Sequence, residues 1–142
     1  MQKIRALIIC AACILALAGT AHAGAAKPPK SLCVWSGVPG GPALSLGIKK
    51  GNKIEFGASK SNMFTVQGLG VYGGLRPVCG TGYMSGENFV FYLSTASDGT
   101  HYTMLGMWNV VAEGGTLDIN ESTPGGLTSE SYTLLPIACD MF

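Results

Sequence analysis

From Ser31 onward, glycine- and proline-bearing turns interrupt the chain about every 8–12 residues, and no window between them keeps a helical period. The runs between turns are short and rich in aromatic and branched residues. They include Cys33–Ser36, the alternating Leu44, Leu46 and Ile48, then Ile54 and Phe56, and Phe64–Gln67. The second half adds Phe89–Leu93, His101–Val111, Thr116–Asn120 and Tyr132–Cys139, with Asp98-Gly99 as a hairpin signal. Lys49–Asn52 reads as a turn. Gly68–Gly74 reads as a glycine-rich stretch, followed by a loop at Arg76-Pro77 that leads to Gly80. The expectation is all-β: a single antiparallel up-and-down β-barrel of about eight strands, with a β-sandwich as the alternative. Hairpin-short connections favour the barrel, and closure removes the edges that such apolar strands would otherwise expose.

The first residues belong to a different kind of segment. Lys3 and Arg5 precede an uncharged run from Ala6 to Gly19, and Ala21-His22-Ala23 has the small-x-small form of a cleavage signal. This is the layout of a secretory signal peptide, and the run is too short to span a bilayer. The expected organisation is therefore a signal peptide over 1–23, a flexible lead over 24–31 and a barrel domain over 32–142. The product is periplasmic or secreted, with no transmembrane segment in the mature chain.

Charge is scarce and segregated. Charged residues make up 12% of the chain against 47% hydrophobic, which excludes intrinsic disorder. A formal charge of +1 excludes a strongly basic nucleic-acid binder. Between residues 24 and 76 all the charges are basic except Glu55, whereas residues 77–142 carry acids and neither lysine nor arginine. Such a bipolar chain either balances its own halves or orients a charged partner.

Catalytic chemistry is thinly represented. His101 is the one histidine after residue 23, beside the Asp98-Gly99 turn, and a His101-based enzyme is the least favoured reading. There is no Gly-x-Ser-x-Gly elbow, His-Glu-x-x-His helix or phosphate-cradling loop. The acids Glu113, Asp118, Glu121, Glu130 and Asp140 do not follow EF-hand spacing, so neither a metal site nor a cofactor is expected. Aromatic residues are the stronger lead. Trp35, Tyr92, Trp108 and Tyr132 lie on separate expected strands, and a small barrel either fills its interior or holds one small ligand.

From residue 88 on, the layout resembles the avidin–streptavidin family of biotin-binding eight-stranded barrels. The stretches that carry the resemblance are Phe89–Tyr92, the strand containing Gly106, Gly114–Asn120 and Tyr132–Phe142, with Cys33–Trp35 as the opening strand. The resemblance places Asp140 at a last-strand carboxylate that bonds the ligand, and Tyr132 at a stacking aromatic. Gly37 and Met104 stand where that family has an asparagine and a second pocket tryptophan. The candidate ligand-binding set is thus Trp35, Tyr92, Trp108, Tyr132 and Asp140.

Three cysteines, Cys33, Cys79 and Cys139, follow the targeting segment. In an up-and-down barrel with an even strand count the first and last strands are antiparallel neighbours. That predicts a Cys33–Cys139 bridge with Cys79 free, and Cys33–Cys79 is the competing pair. The functional expectation is an exported, non-catalytic barrel that binds a small apolar or amphipathic ligand or a protein partner. A structural or inhibitory envelope protein acting through loops and charged faces is the alternative.

Overall fold

Eight strands close into a single antiparallel barrel in which each strand pairs with its sequence neighbours, so the sandwich alternative does not apply. The structure, a computed structural model, describes residues 26–56 and 59–142; the expected signal peptide lies outside the described residues. The strands are β1 (Ser31–Trp35), β2 (Ala43–Phe56), β3 (Ser59–Val71), β4 (Leu75–Ser85), β5 (Asn88–Ser97), β6 (Thr100–Asn109), β7 (Gly114–Thr123) and β8 (Gly126–Pro136). A short 3-10 turn, Cys139–Met141, follows. The up-and-down order puts the β1–β2, β3–β4, β5–β6 and β7–β8 connections at one end. The other end carries the β2–β3 tip, the β4–β5 and β6–β7 turns, and the segments flanking the barrel.

Alternation decides what the strands bury. Along β5, Phe89, Phe91 and Leu93 point inward and are buried, and along β7 Leu117 and Ile119 do the same. Phe89 and Phe91 stack in the interior with centroids 5.8 Å apart. Glycines make the room for these rings. A Cβ at Gly106 would fall on the Phe91 ring, and one at Gly82 would meet the ring of Phe89. Interior positions of β1, β2 and β8, among them Val34, Leu44, Leu46 and Leu134, complete the packing. The middle of the barrel is occupied by its own side chains.

Two expected breaks are strand instead. Lys49–Asn52 is not a turn, because β2 runs through it. Its pairing passes from Lys50 opposite Phe64 to Lys53 opposite Asn62, so three steps on one strand face two on the other. One extra residue is absorbed as a bulge, which bends the strand without ending it. Gly68, Gly70 and the Arg76-Pro77 pair likewise lie in ladders. Only Tyr72–Gly74 turns, with Gly73 and Gly74 at φ 62° and 149°. Asp98-Gly99 is the hairpin turn expected, with both residues at positive φ.

The barrel closes between β1 and β8 along a short seam, Val34 opposite Pro136 and Trp35 opposite Leu135. The Ile137 N–H donates to the Cys33 carbonyl at 3.0 Å, and a Cys33–Cys139 disulfide joins the same elements, with Cα atoms 5.3 Å apart. The bridge is the one that terminal-strand pairing predicts, and Cys79 is a free, exposed thiol on β4. No helix among the described residues is long and apolar enough to cross a membrane.

Candidate functional site

The five expected ligand residues do not converge. Trp35 and Tyr92 point outward and are 36% and 50% exposed. Trp108 points inward on β6, 4% exposed, near the end that carries the disulfide. It lines a hollow of about 340 Å³ with Leu32, Cys33 and Cys139. Tyr132 points inward toward the opposite end, while Asp140 is exposed in the 3-10 turn beyond β8. Parity explains the scatter: Trp35 follows inward Val34, and Tyr92 sits between inward Phe91 and Leu93.

Tyr132 belongs to a cluster at the end that carries the 72–74 turn, hereafter the tyrosine end. Tyr72 Oη donates to Glu130 Oε2 at 3.1 Å, and Tyr132 Oη donates to the same oxygen. The Tyr72 ring meets Tyr102 and Tyr132 edge-on, with centroids 5.6 and 6.4 Å away. The Arg76 guanidinium lies 4.5 Å over the Tyr102 ring, a cation–π contact. Burial first, then hydrogen bonds with Tyr132 and Glu130, push the Tyr72 phenol above its ordinary range. The hydrogen bond to Glu130 is the main cause that raises Tyr132. Bonds from Tyr132 and then Tyr72 hold the Glu130 carboxyl below the usual carboxylate range. The two phenols and the carboxylate answer one another, whereas the buried Nη1 of Arg76 has no hydrogen-bond partner among the described residues.

The opposite end is built differently. A hollow of about 690 Å³ lies between the N-terminal lead, β2 and the start of the inward face of β3. Its apolar surface comes from Pro28, Pro29, Ile48 and Phe64, and Lys27, Lys30, Lys49 and Lys50 stand around it. The lead is fixed there by the Ile48 N–H, which donates to the Lys30 carbonyl at 2.9 Å and so extends the β1–β2 ladder. Phe64 packs edge-on against Phe89, with centroids 6.0 Å apart, so the floor of the hollow is the end of the hydrophobic core. No carboxylate is among the described residues that line it. Four like charges around an apolar concavity focus a positive field on it.

These lysines fall where the sequence predicts a turn, Lys49–Asn52, and a flexible lead, so their convergence is not legible in it. The clue in the sequence was the run of basic groups before residue 77, which the bulge and the lead bring together. His101 and Cys79 both line a shallow groove of about 410 Å³ on the outer wall, with Ser94 and Pro77. Asp98 lies in the β5–β6 turn, where its carboxylate accepts a hydrogen bond from the Ser97 hydroxyl at 3.4 Å. No group of three or more histidine, cysteine or acidic side chains placed to hold a metal occurs among the described residues. Comparison with protein-family models, with curated proteins and with solved structures gives no match.

Proposed function

We propose that this is an exported, non-catalytic barrel that binds an amphipathic anion at its lysine end. The observation that carries the reading is the pairing of an apolar floor, Ile48 and Phe64, with four surrounding lysines. An acyl or aryl tail laid on Ile48, Phe64 and the two prolines leaves water for the end of the core. Its carboxylate, sulfate or phosphate head then meets ammonium groups through charge-assisted hydrogen bonds. A volume of about 690 Å³ is within the range of small-molecule sites. Export fits the Cys33–Cys139 bridge, since disulfides persist in oxidising compartments.

The test uses ligands with one tail and different heads: decanoate, decanol and decyltrimethylammonium, titrated calorimetrically below their aggregation limits. Decanoate is expected to bind most tightly and the cation least. Lys49→Gln combined with Lys50→Gln should weaken decanoate by about five- to tenfold, since each exposed charge contributes about 0.5–0.7 kcal/mol. Decanol should be nearly unaffected by that variant. Equal binding of all three heads would remove the lysines from the site.

A further inference from the structure

The outer wall of the barrel carries an apolar patch of its own. Along one register row, Tyr83 of β4 lies opposite Val90 of β5, which lies opposite Met107 of β6. In the adjacent row on this face Tyr92 lies opposite Leu105, and Leu105 opposite Asp118 of β7. These side chains point away from the filled interior: Tyr83, Tyr92, Leu105 and Met107 are 43–50% exposed, and Val90 is half-buried. Contiguous exposed apolar surface of this kind marks a contact site.

The charge that residues 77–142 bring to the patch has one sign. Asp118 closes one row, and Glu87 and Glu113 lie exposed in the turns at the end nearest Tyr83 and Met107. The sequence from residue 77 onward contains neither lysine nor arginine, so β5 to β7 bring no such cation to these rows, although Lys27 of the N-terminal lead lines one hollow with Glu113. That uniform sign discriminates among occupants. Two copies joined patch to patch by a two-fold axis would bring carboxylates toward carboxylates. A copy that inserted its lysine end against this wall would make a head-to-side contact that propagates into open filaments. Trp35 and Leu135 also form an exposed apolar pair, but their described register partners carry no charge to select an occupant.

We propose that the β4–β6 wall docks a cationic amphipathic polypeptide, a segment with apolar side chains for Tyr92 and Leu105 and lysines or arginines for Asp118 and Glu87. Aromatic and aliphatic anchors would supply most of the affinity, and the acidic rim would steer the encounter and fix its register. Its anchors, Tyr92 and Leu105, are not among the residues that line the lysine hollow, so docking here stands or falls independently of anion binding there.

The test uses the whole mature chain with a fluorophore on its native Cys79 thiol, which lies on the same outer wall. The probes are a synthetic peptide of alternating leucine and lysine and its leucine–glutamate counterpart. The lysine peptide is expected to bind, with an affinity that falls as salt rises, and the glutamate peptide to bind far more weakly. Tyr92→Ser with Leu105→Ser leaves the core intact and should reduce binding by roughly tenfold or more. Asp118→Asn should reduce the salt dependence, and Lys49→Gln with Lys50→Gln should change nothing. Equal binding of both peptides, or unchanged binding by the Tyr92/Leu105 variant, would overturn the assignment. So would sedimentation showing that the free protein dimerises and that this double variant makes it monomeric, because the occupant would then be a second copy.

Discussion

At the tyrosine end a carboxylate and three phenols form one contact network, with a guanidinium stacked on one of the rings. At the lysine end four ammonium groups stand around a hollow whose described lining offers them no carboxylate. The same barrel thus ties a carboxylate and its phenols to one another at one mouth and lines a hollow at the other with lysines. With Phe89 and Phe91 filling the centre, the ends and the outer wall are where this barrel has room to bind. A small barrel need not be hollow to be a receptor: it can present the end of its core as an apolar floor and place charge around it.

The largest expected effect concerns what holds the lysine end together. Cys33–Cys139 closes a loop of 106 residues beside a seam of two register pairs. On the chain-entropy model its loss costs about 4–5 kcal/mol. Cys33→Ser with Cys139→Ser should therefore lower the melting temperature by on the order of 15 °C. Hydrogen exchange should rise more around Leu32–Trp35 and the C-terminal turn than around Tyr72 and Tyr102. A uniform rise at both ends would erase the distinction drawn here.

The interior that separates the two ends comes next. Gly106→Ala sets a methyl group against the Phe91 ring and should cost about 1–3 kcal/mol by overpacking. A barrel with free internal space would let the ring move and show almost no loss in a denaturant titration.

The smallest effect lies at the tyrosine end. Glu130 is held below its usual range in the folded state, so its contribution is present above the unfolded carboxylate range. That contribution fades as pH falls through the lower, folded value. Glu130→Gln should flatten the acid side of the stability curve and leave decanoate binding unchanged. Tyr72 works in the opposite direction: its raised phenol favours the folded state fully below the unfolded tyrosine range, and the contribution is lost as pH rises through the folded value. Thermal melts from pH 3 to 7 check the first of these, and a variant that melts in parallel with the parent would remove Glu130 from the account.

The barrel, its β1–β8 closure and the disulfide were legible because period-two alternation, short turns and the positions of Cys33 and Cys139 all point to the same topology. The β2–β3 extension was not, because Gly51-Asn52 has turn chemistry and a one-residue bulge leaves no distinct mark in a sequence. The glycines at 82 and 106 serve ring packing across strands, a role invisible without knowing that Phe91 lies opposite both and that the Phe89 ring reaches diagonally to Gly82. The scatter of the five expected ligand residues has a related cause. In β5 every position from Phe89 to Leu93 is apolar, so alternation gives no sign for which side Tyr92 takes. The charge segregation was visible, but only the fold shows that it becomes a lysine-rimmed hollow at one end and an acid-rimmed patch on the wall.

The central claim is that binding belongs to the lysine end and not to the interior or the tyrosine end. Titration of isotope-labelled protein with decanoate, followed by amide and methyl chemical shifts, tests it most directly. Binding at the lysine end should give saturable shifts confined to Lys27–Lys30, Gly47–Lys50, Asn62 and Phe64, with Tyr72, Tyr102 and Tyr132 unmoved. Shifts centred on Phe91 and Leu93, or on the tyrosine cluster, would contradict it.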